Sequence, residues 1–174
     1  MRQIAFLVVA IVTVAGIVTF TAPAFEHADQ EAAPAYVTAI PQGYRDWRWL
    51  SSAHEAANFN SLGAVLGNDV AIKAYREGTL PFPDGTIIAA LHYTHSPSAE
   101  NDKIFGRPQS FTPGTPTNIQ FMVKDSVKYA ATGGWGFGHF SKDGKPANAA
   151  FMKPCFPCHA QEKAHDLVFT RYAP

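Results

Sequence analysis

The sequence predicts an α+β protein: a predominantly antiparallel β-sheet with two or three short helices, the last near the C-terminus. Three observations carry this. Glycine and proline number 13 each among 174 residues, which divides the chain into short elements and excludes a bundle of long helices. Short β-branched and aromatic runs lie between turn signals. Only a few segments combine helical spacing with a cap and a stop residue.

The elements follow in chain order. Met1-Arg2-Gln3 is a basic start, Ile4 to Phe20 is uncharged and apolar or small, and Ala22-Pro23-Ala24 supplies small residues for cleavage. Residues 1–24 therefore read as a secretory signal peptide, with an uncleaved membrane anchor as the alternative. An exported, periplasmic protein is expected. Residues 25–40 read as a flexible leader and 41–174 as a single domain. Tyr44 to Ala57, with Trp47, Leu50 and Ala53 three apart, predicts a first helix. Ser61 to Leu66 predicts a strand, and Asp69 to Glu77, stopped by Gly78, a helix. Pro81 to Gly85 is a turn and Thr86 to Thr94 a strand. Ser96 to Gly106 reads as a polar loop, and proline-rich 108–116 as irregular. Asn118 to Lys124 predicts a strand. Thr132 to Ser141 predicts another, with Trp135 and Phe137 in phase, Phe140 out of phase, and close backbone approach at its glycines. A short helix is expected from Cys155 to about Ala164.

Composition narrows the function. Lys+Arg and Asp+Glu are 14 each, a formal net charge of zero, which disfavours a nucleic-acid binder. Two cysteines exclude a disulfide-rich scaffold. Their placement is the most informative feature: Cys155-Phe156-Pro157-Cys158-His159 is the pattern of covalent haem attachment. Two thiols with two residues between them can add to the two vinyl groups on one porphyrin edge. The histidine directly after them projects a neutral imidazole under the iron as proximal ligand. A disulfide or redox pair and a zinc site are the alternatives. Only 16 residues follow Cys158, too few for a thioredoxin-like sheet, and no second cysteine pair completes a zinc site.

The segments PFPDGTIIAALHY (81–93), FGRPQSF (105–111), IQFMVKDSVKYAATGGWGFGHF (119–140), CFPCH (155–159) and DLVFTRYAP (166–174) together resemble the cytochrome P-460 family, which includes the cytochromes c′-beta. The resemblance implies a mono-haem c-type protein with one covalent haem c and its iron, a mostly antiparallel β fold, and a homodimer. Cys155 and Cys158 would hold the porphyrin, and His159 the iron, with an open distal side. It further implies either reversible binding of nitric oxide or oxidation of hydroxylamine with nitric oxide to nitrous oxide, the electrons leaving to a partner cytochrome. A six-coordinate electron carrier is the third possibility. In the catalytic branch a lysine on the strand after the FPDG-type turn is cross-linked to the porphyrin. Residues 86–93 contain none, and Ala89 and Ala90 stand where it is expected. Lys73 and Lys103 are the nearest substitutes in sequence and read as solvated.

Trp135, Phe137 and Phe140 are candidates to wall the haem, and Arg107 to pair with a propionate. His54, His92, His95, His139 and His165 are possible sixth ligands, with His92 and His139 foremost, as are the sulfurs of Met122 and Met152. Lys124 and Asp125 read as a structural pair beside a turn. The stretch 146–151 holds no carboxylate to relay protons, so the pocket reads as short of a general base.

Overall fold

The computed structural model describes residues 36–173. The predicted signal peptide and the first part of the predicted leader lie outside the described residues. Five strands, β1 (Arg48–Glu55), β2 (Ser61–Gly67), β3 (Ile87–Pro97), β4 (Phe111–Lys124) and β5 (Trp135–Ser141), form one antiparallel sheet in sequential order. Helix α1 (Asp69–Glu77) joins β2 to β3, α2 (Ala99–Phe105) joins β3 to β4, and α3 (Ala149–Met152) and α4 (Cys155–His159) follow β5. The predicted α+β class is the observed one.

Alternation along the strands sorts the core into two layers. Val65, Ile88, Met122, Trp135 and Phe137 face one side, where they pack on Leu50, on Ala71 and Ile72 of α1, and on Met152 and Val168. Ala89, Leu91, Ile119, Phe121 and Phe140 face the other, under Val37, Ile40, Tyr44 and Trp47. Asn68 sets the start of α1: its Oδ1 accepts from the N–H groups of Ala71 and Ile87 at 3.0 and 3.1 Å. Gly78, with φ 64°, ends it. A Cβ on Gly67 would lie 2.9 Å from the side chains of Ala71 and Leu50, so glycine there lets α1 close onto the sheet. Gly136 does the same for the buried ring of Tyr129, as the glycines of β5 predict.

Four expectations fail. Tyr44 to Ala57 is a 3-10 turn (Tyr44–Asp46) followed by β1, not a helix. Leu50 sits in a bulge of β1, where register shifts between Trp49 and Ser51, and pairing with β2 overrides local preference. The segment read as a polar loop contains α2, with Ser98 accepting from Asn101 N–H and Gly106 at φ 71° closing it. The proline-rich segment belongs to β4. Residues 111–117 extend beyond β5, which pairs only with Asn118–Lys124, so Pro113 and Pro116 need no donor on that side. The C-terminal helix also stops early, at His159, and a 3-10 turn, Lys163–His165, follows.

Candidate haem site

Asn148 caps α3 by accepting from Phe151 N–H at 2.9 Å, and buried Met152 anchors that turn in the core. The chain then enters α4, whose single turn carries the whole CFPCH motif. Cys155 is half-buried and Cys158 exposed, and both thiols are free. Burial first, then the neighbouring Cys158, pushes the Cys155 thiol up from its ordinary range, so it is protonated at neutral pH. Phe156 packs into the core, 6.5 Å from the ring of Phe137.

His159 is held from two directions. Its ring lies between Phe137 and Phe169, with centroids 4.9 and 4.8 Å away. Its Nδ1–H donates to the carbonyl of Leu167 at 2.8 Å. Burial lowers its pKa, against a smaller opposing effect of that carbonyl, so the imidazole is neutral. With Nδ1 engaged, Nε2 is the nitrogen left with a lone pair. That is how a metal-ligating histidine is oriented by an outer hydrogen bond. Phe151 and Phe169 are 57% and 51% exposed, apolar surface that a porphyrin beside α4 would cover.

Beyond Phe137 this sheet face turns small and polar. Val65, Ala90, Gln120 and His139 are register neighbours in one row, and Gly63, His92 and Asn118 in the next. Glu55 lies on the same face, its carboxylate 3.3 Å from Ser61 Oγ and 3.9 Å from His92 Nδ1. Burial lowers the pKa of His92, partly offset by Glu55; burial and then His92 lower that of His139. The unfolded chain therefore takes up protons at these sites more readily than the folded one. Stability is full above the ordinary imidazole pKa, about 6.5, and falls as pH drops toward the folded-state values. Denaturant unfolding between pH 7.5 and pH 5 (about one unit or more either side of that value) is expected to show the decline, shallower in His92→Gln. A variant with an undiminished slope overturns this assignment.

The structure separates the sequence-predicted residues. Phe137 belongs with α4. Trp135, wholly buried, packs on Phe82 and under the ammonium of Lys124, further along the core. Phe140 stands on the face opposite Phe137, against Phe121, as its out-of-phase position requires. Arg107 is exposed after α2 and bonds Gln109. His92 and His139 share the site face, whereas His54 and His95 stack on each other beside Phe111, and His165 bonds Glu162. Met122 and Met152 are buried core residues. Ala90 is on the site face and Ala89 on the other; Lys73 and Lys103 are exposed on α1 and α2. Lys124 pairs with Asp166, not Asp125, which instead accepts from Val127 and Lys128 N–H. Sequence reasoning also missed Glu55, placed in a helix, and the Leu167 carbonyl, which no side chain announces. Among the described residues, no three His, Cys, Asp or Glu converge to hold a metal ion.

A two-thiol turn ending in a neutral, outer-shell-bonded histidine is the arrangement expected of a cytochrome of the c type. The family model Cytochrome P460 matches residues 41–170, most of the chain, and the chain belongs to the cytochrome P460 family, which implies a haem cofactor. No curated protein matches it.

Proposed function

We propose that this is an exported mono-haem protein whose haem c is attached through Cys155 and Cys158, ligated by His159, and open on its other side to nitric oxide and related small nitrogen oxides. The observation that carries the reading is the Nδ1–Leu167 bond, which leaves Nε2 free one residue from the second thiol. When bound, haem supplies an open coordination position and one-electron redox chemistry. The chain supplies the rest. His159 donates its Nε2 lone pair, and Phe137, Phe156 and Phe169 exclude water. Met122 and Met152, spent in the core, favour an open sixth position. The chain would be periplasmic and dimeric, with a partner cytochrome as electron exchanger.

The small residue Ala90 on the site face, with no lysine in residues 86–93, favours reversible binding over cross-link-dependent catalysis. The Glu55–His92 pair favours hydroxylamine oxidation as the second reading. Hydroxylamine plus nitric oxide balances to nitrous oxide, water, one proton and one electron. Glu55 and His92, 3.9 Å apart on the site face, would take that proton, and the partner cytochrome the electron.

The test is the absorption spectrum of the dithionite-reduced protein before and after carbon monoxide. A high-spin spectrum whose Soret band shifts with carbon monoxide is expected. A low-spin spectrum that carbon monoxide leaves unchanged would mean that a second side chain, His92 or His139, holds the iron, and the open-site reading fails. For the second reading, hydroxylamine-dependent nitrous oxide formation is expected to be lost in Glu55→Gln; no turnover in the parent protein leaves binding alone.

A further inference from the structure

A buried ion pair lies behind the proximal histidine. Lys124, at the end of β4, is 6% exposed. Its ammonium donates to both carboxylate oxygens of Asp166 at 3.0 and 2.9 Å and to the Gly133 carbonyl at 3.1 Å. It also sits 5.0 Å over the indole of Trp135. Asp166 further accepts from Phe82 N–H at 2.9 Å. The three ammonium protons are thus all used. Burying two charges costs desolvation that their attraction only roughly offsets, so such a pair is poorly explained by stability alone.

Asp166 and Leu167 are consecutive non-glycine residues in the left-handed region, with φ 49° and 67°. A side chain with a Cβ disfavours that conformation, and a branched one such as leucine especially. Strain of this kind persists where the surroundings over-determine it, and it clusters at functional sites. Here the turn brings the Leu167 carbonyl back to His159 Nδ1 at 2.8 Å. The Leu167 N–H donates to Glu162 O at 2.9 Å, and Val168 is locked in the core. Gly133, whose carbonyl binds the ammonium, also makes room for Leu167: a Cβ there would lie 3.0 Å from Leu167 Cδ1.

We infer that Lys124 and Asp166 are positioning residues for the axial ligand: the pair fixes the left-handed turn that aims the Leu167 carbonyl at His159 and so tunes how strongly Nε2 donates to iron. The inference rests on the haem reading proposed above. A firm Nδ1–H···O=C bond gives the ring imidazolate character and makes Nε2 a stronger donor, which stabilises ferric iron. A slackened bond does the reverse.

The test compares the intact haem protein with Asp166→Asn, the double variant Lys124→Met/Asp166→Asn, and Lys124→Arg. Asparagine tolerates the left-handed region and can still accept from Phe82 N–H, so the first variant removes charge with least change of backbone. The double variant leaves no unpaired buried charge, and it carries the test if the single one does not fold. Both are expected to lower the ferrous iron–histidine stretching frequency in resonance Raman spectra. Both should also shift the reduction equilibrium toward ferrous by about tenfold, ~59 mV for one electron. Lys124→Arg keeps the parental frequency and potential. Folded, haem-loaded variants with a lower melting temperature but an unchanged frequency and potential would make the pair merely structural and overturn the inference. An alkaline-pyridine spectrum of the parent distinguishes the two failures: a haem-free parent removes the haem reading and this inference with it, whereas a loaded parent with silent variants removes only this one.

Discussion

His159→Gly is expected to yield a folded protein that keeps its porphyrin on the two thioethers but loses the iron's protein ligand. The reduced spectrum should change on substitution and return when imidazole is added. Glycine suits the site because His159 is the last residue of α4, where a helix tolerates it. The vacated space is walled by Phe137 and Phe169, the right shape for a planar five-membered ring. Added imidazole can also donate to the Leu167 carbonyl, as the native ring does at 2.8 Å. 1-Methylimidazole, ligating through its bare nitrogen, has no N–H to offer. One hydrogen bond contributes about 0.5–1.5 kcal/mol net, so imidazole should rescue roughly 2- to 10-fold more tightly. A variant with the parental spectrum would exclude His159 as the ligand. Equal rescue by the two compounds would mean that the Leu167 bond does not matter to ligation.

The difference between the two halves of this site shows what a sequence can reveal. CFPCH is local: spacing two thiols and an imidazole over one turn needs no knowledge of the rest of the chain. Phe137 was legible through period-two alternation, and the same rule places Phe140 on the opposite face once the phase is followed strictly. The helix that is really β1 shows the limit. Trp47, Leu50 and Ala53 carry a helical spacing, and only pairing with β2 shows that Leu50 and Ala53 belong to a strand. That one error hid Glu55, because a glutamate at a helix end has no reason to meet His92 on a sheet. Arg107 has a charge that suits a propionate, but only the fold shows that it follows α2 in the β3–β4 connection. The strongest support for His159 was the least legible. It is a backbone carbonyl, held by a lysine 42 positions from its aspartate, through a turn without glycine. Long-range ion pairs and non-glycine left-handed residues leave no local signature.

Replacing both cysteines, Cys155→Ala/Cys158→Ala, is expected to turn a permanent cofactor into a dissociable one. In the parent, haem should stay with the chain on a denaturing gel and resist acid–butanone extraction. In the double variant it should leave with the solvent. The reason is effective concentration. Two thioethers on α4 would keep the iron beside His159 Nε2 at a concentration that a free cofactor in dilute solution does not reach. Without them, retention depends on one axial bond and on apolar contact with Phe137, Phe156 and Phe169. Occupancy, and with it melting temperature, should then vary with added haem, by about 1.4 kcal/mol for each tenfold change in free ligand. The single variants should not be equivalent. Cys158 is exposed and its loss removes only a bond, whereas half-buried Cys155 packs against the core cluster and its loss also opens a gap. Cys155→Ala should therefore be the less stable of the two even when each retains one thioether. Haem extractable from the parent would overturn covalent attachment while leaving His159 ligation intact. Equal stability of the two single variants would show instead that Cys155 contributes nothing to the packing beneath α4.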